Sequence, residues 1–143
     1  MKIGELAKET GCSSQTIRFY EREGLLPAPS RSESNYRHYG QKHLKRLSFI
    51  RNCRALAMSH AEIRALLALV DEPRGDCQAI DALLDEHIHH VEVRLRELSQ
   101  LHGQLKSLQE KCGHASPVED CGIVHGLEEM LWEGEPGSAT HLG

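Results

Sequence analysis

Residues 3–20 read IGELAKETGCSSQTIRFY, and the predicted architecture of the N-terminal half follows from them. Its first apolar residues recur at the spacing of one helical face, and Gly11 then interrupts the pattern. Ser13 or Ser14 can cap a second helix, which Gly24 can end in a left-handed conformation. The stretch therefore predicts two helices joined by a tight turn.

Downstream of this pair, the sequence predicts a small wing and two more helices. Residues 31–39 combine a Ser-rich turn with aromatic and cationic side chains, which favours a two-stranded hairpin. Residues 41–54 return to helical spacing, with Lys and Arg over a wide polar arc. Ser59, with Glu three positions later, caps a further helix, and Pro73 then breaks the chain. Residues 1–72 are thus predicted to form a winged helix-turn-helix head.

The two halves of the chain carry opposite charge, although the net charge is only −4. Residues 1–70 hold 12 Lys and Arg against 6 Asp and Glu, whereas residues 71–143 hold 5 against 15. Such asymmetry indicates that the first half faces a polyanion, of which nucleic acid is the natural example. No apolar run approaches the roughly 18 residues of a membrane span, and the N-terminus lacks the apolar core of a signal peptide. We expect a cytoplasmic protein without a membrane partner.

Residues 76–112 predict one long helix with an apolar seam. Asp76 can cap it, and neither Pro nor Gly interrupts the sequence again until Gly103. The seam follows the 4-then-3 spacing of a coiled coil and comprises Leu84, Ile88, Val91, Leu95, Leu98 and Leu105. A lone helix of this length needs a partner surface. We therefore predict a homodimer built on this helix.

The five cysteines divide into two groups. Cys12 and Cys53 lie within packed helical patterns, which favours burial. Cys77 and Cys112 mark the two ends of the long helix, about 50 Å apart at about 1.5 Å per residue, and cannot meet within one chain. Cys121 follows Cys112 by nine residues, across a loop that can fold back.

A second chain can bring these thiols together. In an antiparallel pair with its two-fold axis between residues 94 and 95, Leu84 faces the partner's Leu105 and Cys77 faces the partner's Cys112. A parallel pair would also bury the seam, but it would set Cys112 against its own copy. The antiparallel register predicts two sites, each with one thiolate from one chain and two from the other.

Thiolate ligands select soft metals, and three sulfurs without a clear fourth ligand suit Pb(II), Hg(II) or Cd(II). His114 or His125 could complete a tetrahedral Zn(II) or Cd(II) site. The alternative is that the cysteines are small buried residues. Residues 113–132 are accordingly predicted to form a metal-binding loop with a short helix, and residues 133–143 a disordered tail.

Four motifs, in order, resemble the head of the MerR family of metal-responsive regulators. They are Ile3-Gly4-Glu5-Leu6-Ala7, Thr16-Ile17-Arg18-Phe19-Tyr20-Glu21, Gly24-Leu25-Leu26-Pro27 and Asn35-Tyr36-Arg37-His38-Tyr39. The resemblance extends over roughly residues 1–125. Later segments, including Asp76-Cys77 and Asp85-Glu86-His87-Ile88, look most like the cadmium- and lead-responsive branch.

The resemblance implies metal-ligand roles for Cys77, Cys112 and Cys121, which fall where that branch and the mercury sensors place their thiolates. The family's Cu(I) sensors typically have Ser at the position of Cys77, so the cysteine argues for a divalent ion. Cd(II) or Pb(II) is the favoured effector, with Hg(II) or Zn(II) as alternatives. The resemblance also implies a mainly α protein with a winged head, a long antiparallel coiled-coil helix and a C-terminal metal-binding loop.

For function, the resemblance implies a homodimer bound to double-stranded promoter DNA. Such a dimer represses without metal and distorts the DNA when metal binds, so that RNA polymerase can start. Thr16, Arg18 and Tyr20 on the recognition helix, and Tyr36 and Arg37 on the wing, are the predicted DNA contacts, because hydroxyl and guanidinium groups reach phosphates and base edges. The alternative is a solvated basic face.

Other function classes fit less well. No recognisable catalytic signature surrounds any cysteine, so we do not expect an enzyme. A DNA-binding protein with a purely structural metal site is a closer alternative, differing in whether the metal is always bound. A redox sensor that uses the same thiols is a third.

Overall fold

The computed structural model describes residues 1–131, and over this range the chain is mainly helical with one small antiparallel sheet. The elements in chain order are α1 (Ile3–Thr10), α2 (Ser14–Arg22), β1 (Ser30–Arg31), β2 (Arg37–His38), α3 (Gln41–Ala55), α4 (His60–Val70), α5 (Cys77–Glu110), a 3-10 turn (Val118–Asp120) and α6 (Gly122–Glu129). This order confirms the predicted mainly α fold with a winged helix-turn-helix head and a long helix.

The turn between α1 and α2 depends on one glycine and one serine. Gly11 adopts φ 71°, in the left-handed region that favours glycine. Ser13, rather than Ser14, is the cap of α2, because its hydroxyl accepts a 3.1 Å hydrogen bond from the Thr16 N–H. The tight turn fixes where α2 begins, and thereby which residues of α2 face outward.

The wing is short and closes on a single tight turn. Its strands pair Ser30 with His38 and Arg31 with Arg37. At the tip, Asn35 takes φ 66°, a left-handed conformation that asparagine tolerates better than most residues, and its N–H donates to the Ser32 carbonyl at 2.8 Å. The predicted hairpin is confirmed, although each strand has only two residues.

The head has a continuous hydrophobic core drawn from its four helices and the residue that follows the wing. The largest fully buried apolar side chains are Leu6, Ile17, Tyr39, Leu47, Ile50 and Ile63. Cys53 is buried in this core, as predicted, and Cys12 packs against it while half-buried. Both cysteines therefore serve as small apolar residues of the head.

Two arginines on the predicted polar arc of α3 donate hydrogen bonds to backbone carbonyls of the head. Arg51 donates to the Thr10 carbonyl at the end of α1 at 2.8 Å, and Arg54 donates to the Met58 carbonyl at 2.7 Å. The Thr10 carbonyl lies at the end of α1, where the last acceptors of a helix lack intrahelical partners, and the Met58 carbonyl lies in the turn between α3 and α4. Two exposed arginines of the basic arc of α3 therefore also bond to backbone carbonyls of the head.

The chain divides into two compact units, Met1–Leu84 and a second that begins at Asp85, and the division falls inside α5. Helix α5 ends at Glu110, two residues before the predicted end. Its last turn tightens, because the N–H groups of Lys111 and Cys112 donate to carbonyls three residues earlier.

The predicted disordered tail, residues 133–143, and residue 132 of the predicted short helix lie outside the described residues. Among the described helices, none is long and apolar enough to cross a bilayer.

Candidate DNA-binding face and metal site

Helix α2 presents an open groove on one side. Thr16 is half-buried, and its hydroxyl contacts the Ser13 hydroxyl at 2.8 Å, while Arg18 is exposed. The groove has a volume of about 480 Å³ and is lined by Gln15, Thr16, Phe19, Tyr20, Arg22, Arg54 and His60. Its rim therefore combines guanidinium, amide and hydroxyl groups that suit an anionic backbone.

Tyr20 is the most deeply buried of the five predicted DNA contacts, at 6% exposure. Its ring packs against Phe19 and edge-on against His60, with centroids 5.8 and 6.0 Å away. Burial raises the pKa of the Tyr20 hydroxyl above its usual range. Tyr20 lines the groove, so a ligand can reach its side chain only from inside the groove.

The wing exposes its aromatic tip. Tyr36 is 67% exposed, and the Lys2 ammonium lies 5.8 Å from its ring centroid, within the range of a cation–π contact. Arg37, next in the chain, is half-buried. The predicted wing contacts thus differ in accessibility, since Tyr36 is largely exposed and Arg37 is half-buried.

Glu21 explains how Arg37 is held, and sequence reasoning gave it no role. Its carboxylate lies 3.3 Å from an Arg37 guanidinium nitrogen and accepts a hydrogen bond from the Tyr39 hydroxyl. Burial, and then the bond to Glu21, raise the pKa of the Tyr39 hydroxyl. Glu21 therefore connects α2 to the wing. The available signal was a single acidic residue between Arg18 and Arg22 on α2.

Cys77 stands exposed at the first position of α5, and Asp76 caps the helix as predicted, with its carboxylate accepting from the Gln78 N–H at 2.9 Å. The helix then runs 34 residues, about 50 Å, before it ends next to Cys112. Among the described residues of one chain, Cys77, Cys112 and Cys121 do not gather into one cluster.

The chain reverses after α5. Cys112 is exposed, with its sulfur 3.9 Å from the His114 carbonyl oxygen, and Cys121 is half-buried at the start of α6. The Cys121 N–H donates to the Val118 carbonyl at 3.0 Å, closing the 3-10 turn. A Cβ built on Gly122 would lie 2.3 Å from the Lys111 carbonyl oxygen. The neighbours of the two cysteines are therefore in direct backbone contact.

The two candidate histidines are placed differently. The His125 Nε2 lies 2.7 Å from the Glu119 carbonyl, which only accepts, so this nitrogen is the donor. Its Nδ1 lies 3.9 Å from a Glu128 carboxylate oxygen. His114 is exposed on the loop between the two cysteines. The ring of His125 is thus already bonded within its own segment, whereas the exposed His114 is better placed to act as an additional metal ligand.

The donor chemistry at the ends of α5 fits a soft metal. Two of the three thiols are exposed and the third is half-buried, so none is sealed in a core as Cys53 is. Thiolates prefer soft or borderline ions over Mg(II) and Ca(II). The residues present would supply one thiol at one end of the helix and two at the other.

Comparison with known proteins identifies the family. Residues 1–69 match the family model described as MerR HTH family regulatory protein, and residues 44–108 match the model described as MerR, DNA binding. The chain belongs to the MerR family. Because members are DNA-binding regulatory proteins, the prediction of a regulator rather than an enzyme is confirmed.

Individual relatives span most of the chain. A transcriptional regulator of Haemophilus influenzae, described as a ZntR homolog, is 48% identical over 111 residues, covering 78% of this chain and 82% of the relative. The crystal structure of PbrR691 from Ralstonia metallidurans CH34, in complex with lead(II), is 49% identical with a TM-score of 0.80, covering 89% of this chain and 98% of that one. MerR from Bacillus megaterium MB1, in complex with mercury(II), is 29% identical with a TM-score of 0.74, covering 90% and 100%.

Proposed function

We propose that this MerR-family chain is a homodimeric, metal-responsive regulator of transcription. It senses Cd(II) or Pb(II) through two intersubunit sites, each formed by Cys77 of one chain and the partner's Cys112 and Cys121. The observation that carries the proposal is the unbroken helix α5, which places Cys77 and Cys112 about 50 Å apart in one chain. A site that contains both requires a second chain.

The surface of α5 supports the dimer. The six seam residues are between 36% and 61% exposed in the single chain. A continuous apolar stripe of this kind is stabilised when a second copy covers it, at about 25 cal/mol per Å² of apolar surface removed from water. In the antiparallel register, Leu84 lies opposite the partner's Leu105. In the same register, Cys77 lies opposite the partner's Cys112.

The choice of metal rests on donor chemistry and on similarity. Three thiolates suit Pb(II) and Cd(II), and PbrR691, 49% identical, was crystallised with lead(II). The Bacillus megaterium relative binds mercury(II), so Hg(II) is the alternative effector, as is Zn(II) with His114 as a fourth ligand. When bound, the ion would link thiolates of the two chains through strong, directional bonds.

The DNA-binding face is the outer side of α2 together with the wing. We propose that Thr16, Arg18 and Tyr20 contact DNA from α2, and that Tyr36 and Arg37 contact it from the wing. The dimer sits on double-stranded promoter DNA, represses without metal, and distorts the DNA in the metal-bound state so that RNA polymerase can start. Two arrangements of the heads with different DNA shapes are sufficient for such a switch. These events take place in the cytoplasm.

The decisive experiment titrates the reduced, metal-free protein with Pb(II), Cd(II), Hg(II) and Zn(II), following the ultraviolet thiolate-to-metal absorption. Wild type, Cys77→Ser and the control Cys12→Ser are compared, because Cys12 packs against the head core. We expect tight binding of one soft divalent ion that Cys77→Ser abolishes and Cys12→Ser leaves intact. Unchanged binding in Cys77→Ser would remove the intersubunit site.

A purely structural metal site is the rival function, and chelation separates the two. A sensor keeps its helices and its operator binding when the metal is removed, whereas a structural site unfolds with its metal. The core of the head, between Leu6 and Leu67, includes none of the three cysteines. We therefore expect the helical circular dichroism to persist after chelation. Its loss would favour the structural role.

A further inference from the structure

We propose that Gly122 is a positioning residue that pre-arranges Cys112 and Cys121 as a pair of adjacent thiols within one chain. The pair exists before a metal or a second chain arrives. This inference rests on the proposed function, because it concerns two of the three thiols in the proposed site, but its test does not need the metal.

The approach of α6 to the end of α5 is closer than a side chain permits. A Cβ on Gly122 would lie 2.3 Å from the Lys111 carbonyl oxygen and 3.1 Å from both the Lys111 carbonyl carbon and its Cβ. The nearest atom belongs to the backbone and cannot rotate away. Any larger residue at position 122 must therefore push the start of α6 away from the end of α5.

A second glycine on the same face of α6 extends this contact. Gly126 lies one helical turn after Gly122 and is buried, and its added Cβ would meet the Lys111 ammonium nitrogen at 3.0 Å and a Leu108 methyl at 3.1 Å. These atoms end flexible side chains, which can move aside. Gly122 is consequently the stricter of the two positions.

The contact brings the two cysteines together through their neighbours. Cys121 is bonded to Gly122, Cys112 is bonded to Lys111, and consecutive Cα atoms are about 3.8 Å apart. Two donors already fixed near each other avoid the loop-ordering cost that a flexible chain would meet on binding a ligand. Folding of one chain thus already positions the two thiols, Cys112 and Cys121, that it contributes to a site.

The test uses phenylarsine oxide, which condenses with two nearby thiols to form two As–S bonds and release one water, with arsenic remaining As(III). The background is the full-length reduced triple variant Cys12→Ser/Cys53→Ala/Cys77→Ser, so that Cys112 and Cys121 are the two thiols that remain. We expect Gly122→Ala to weaken arsenical binding by about tenfold or more, in the range measured for residues that orient metal ligands. Gly113→Ala is the matched control, since its added Cβ meets nothing within 4 Å, and it should change binding by no more than about twofold.

A second measurement needs no glycine variant and covers the case in which Gly122→Ala fails to fold. The arsenical affinity of the same triple cysteine variant is compared in native buffer and in concentrated urea, where the α5–α6 contact is lost and unfolding exposes no further thiol. We expect at least about tenfold tighter binding in the native chain. Equal affinity in both conditions, or equal affinity of folded Gly122→Ala and its parent, would overturn the positioning role.

The outcomes separate this inference from the proposed function. If Gly122→Ala loses arsenical binding while wild type shows no Pb(II) or Cd(II) binding, the positioning role stands and the metal-sensing proposal fails. If wild type binds these metals while Gly122→Ala binds the arsenical as its parent does, the metal site stands and the positioning role fails.

Discussion

The head and the seam of α5 use the same kinds of residue in opposite ways. In the head, apolar side chains from Leu6 to Leu67 are buried against one another within one chain. Along α5, the leucines, isoleucine and valine of the seam are exposed, with Leu95 at 61%. The head therefore carries its own source of stability, whereas the seam is satisfied only when a second surface covers it.

The largest expected effect separates these two kinds of apolar residue. Leu47→Ala removes a fully buried side chain of the head and should lower the free energy of unfolding by about 2 to 5 kcal/mol. Leu95→Ala removes a side chain that the single chain leaves exposed, so its cost should appear in the dimer dissociation constant. Urea unfolding over a range of protein concentrations measures both.

Concentration dependence decides whether the comparison holds. The destabilisation by Leu47→Ala should be the same at every protein concentration, and that by Leu95→Ala should grow on dilution. An effect of Leu95→Ala that does not change with concentration would mean that the seam is not a dimer interface.

The next effect concerns the outer surface of the head. Arg18→Ala should weaken operator binding by about 1 to 3 kcal/mol if the guanidinium reads a base, or reduce the salt slope by about one if it contacts a phosphate. Arg64→Ala is the control, because that exposed arginine bonds to Glu23 within the head. Binding measured at several salt concentrations distinguishes the cases. If Arg18→Ala matched the control in affinity and slope, Arg18 would be a solvated surface residue.

A smaller effect is expected where the wing meets the recognition helix. Glu21→Gln removes the charge that holds Arg37, so the arginine must be ordered on binding, at a cost of about 0.5 to 1.5 kcal/mol in operator affinity. Glu23→Gln is the matched control, since it disturbs an exposed pair with Arg64 instead. Tighter binding by Glu21→Gln would show that Glu21 competes with DNA for Arg37.

The smallest effect depends on pH. The pKa of Tyr39 is raised above its ordinary value of 10.0, so its stabilising contribution is present below that value and is lost as pH rises through the raised pKa. Tyr39→Phe should cost about 0.5 to 1.5 kcal/mol near neutral pH. Its stability should then fall less than that of wild type above about pH 10, as urea unfolding at several pH values would reveal. If the free energies of unfolding of wild type and Tyr39→Phe fell in parallel above about pH 10, the pKa of Tyr39 would be the same in the folded and unfolded chains.

Local rules predicted the head well because its signals are short-range. The break at Gly11 follows from the conformational freedom of glycine, and the cap at Ser13 from the unpaired N–H groups at a helix start. The hairpin at residues 31–39 followed from turn chemistry. Each feature depends on residues within a few positions, so the sequence carries it directly.

The same rules failed where distant residues decide the outcome. The predicted polar arc of α3 does not reveal the partner of Arg51, whose guanidinium donates to the carbonyl of Thr10, 41 residues away. The role of Glu21 depends on Arg37 and Tyr39, which reach it only when the wing folds over α2. Helical periodicity indicates which face of a helix is polar, but it does not identify the partner that a polar side chain finds.

The helix-turn-helix, the wing, the apolar seam and the candidate thiols can be predicted from the sequence alone, because each depends on residue type and spacing. The contact of Glu21 with the wing and the close approach of Gly122 to the end of α5 are visible in the folded chain alone. Close backbone approach and charge pairing arise when segments that are distant in sequence pack together. A glycine or glutamate looks the same in sequence whether or not another segment lies within 3 Å of it.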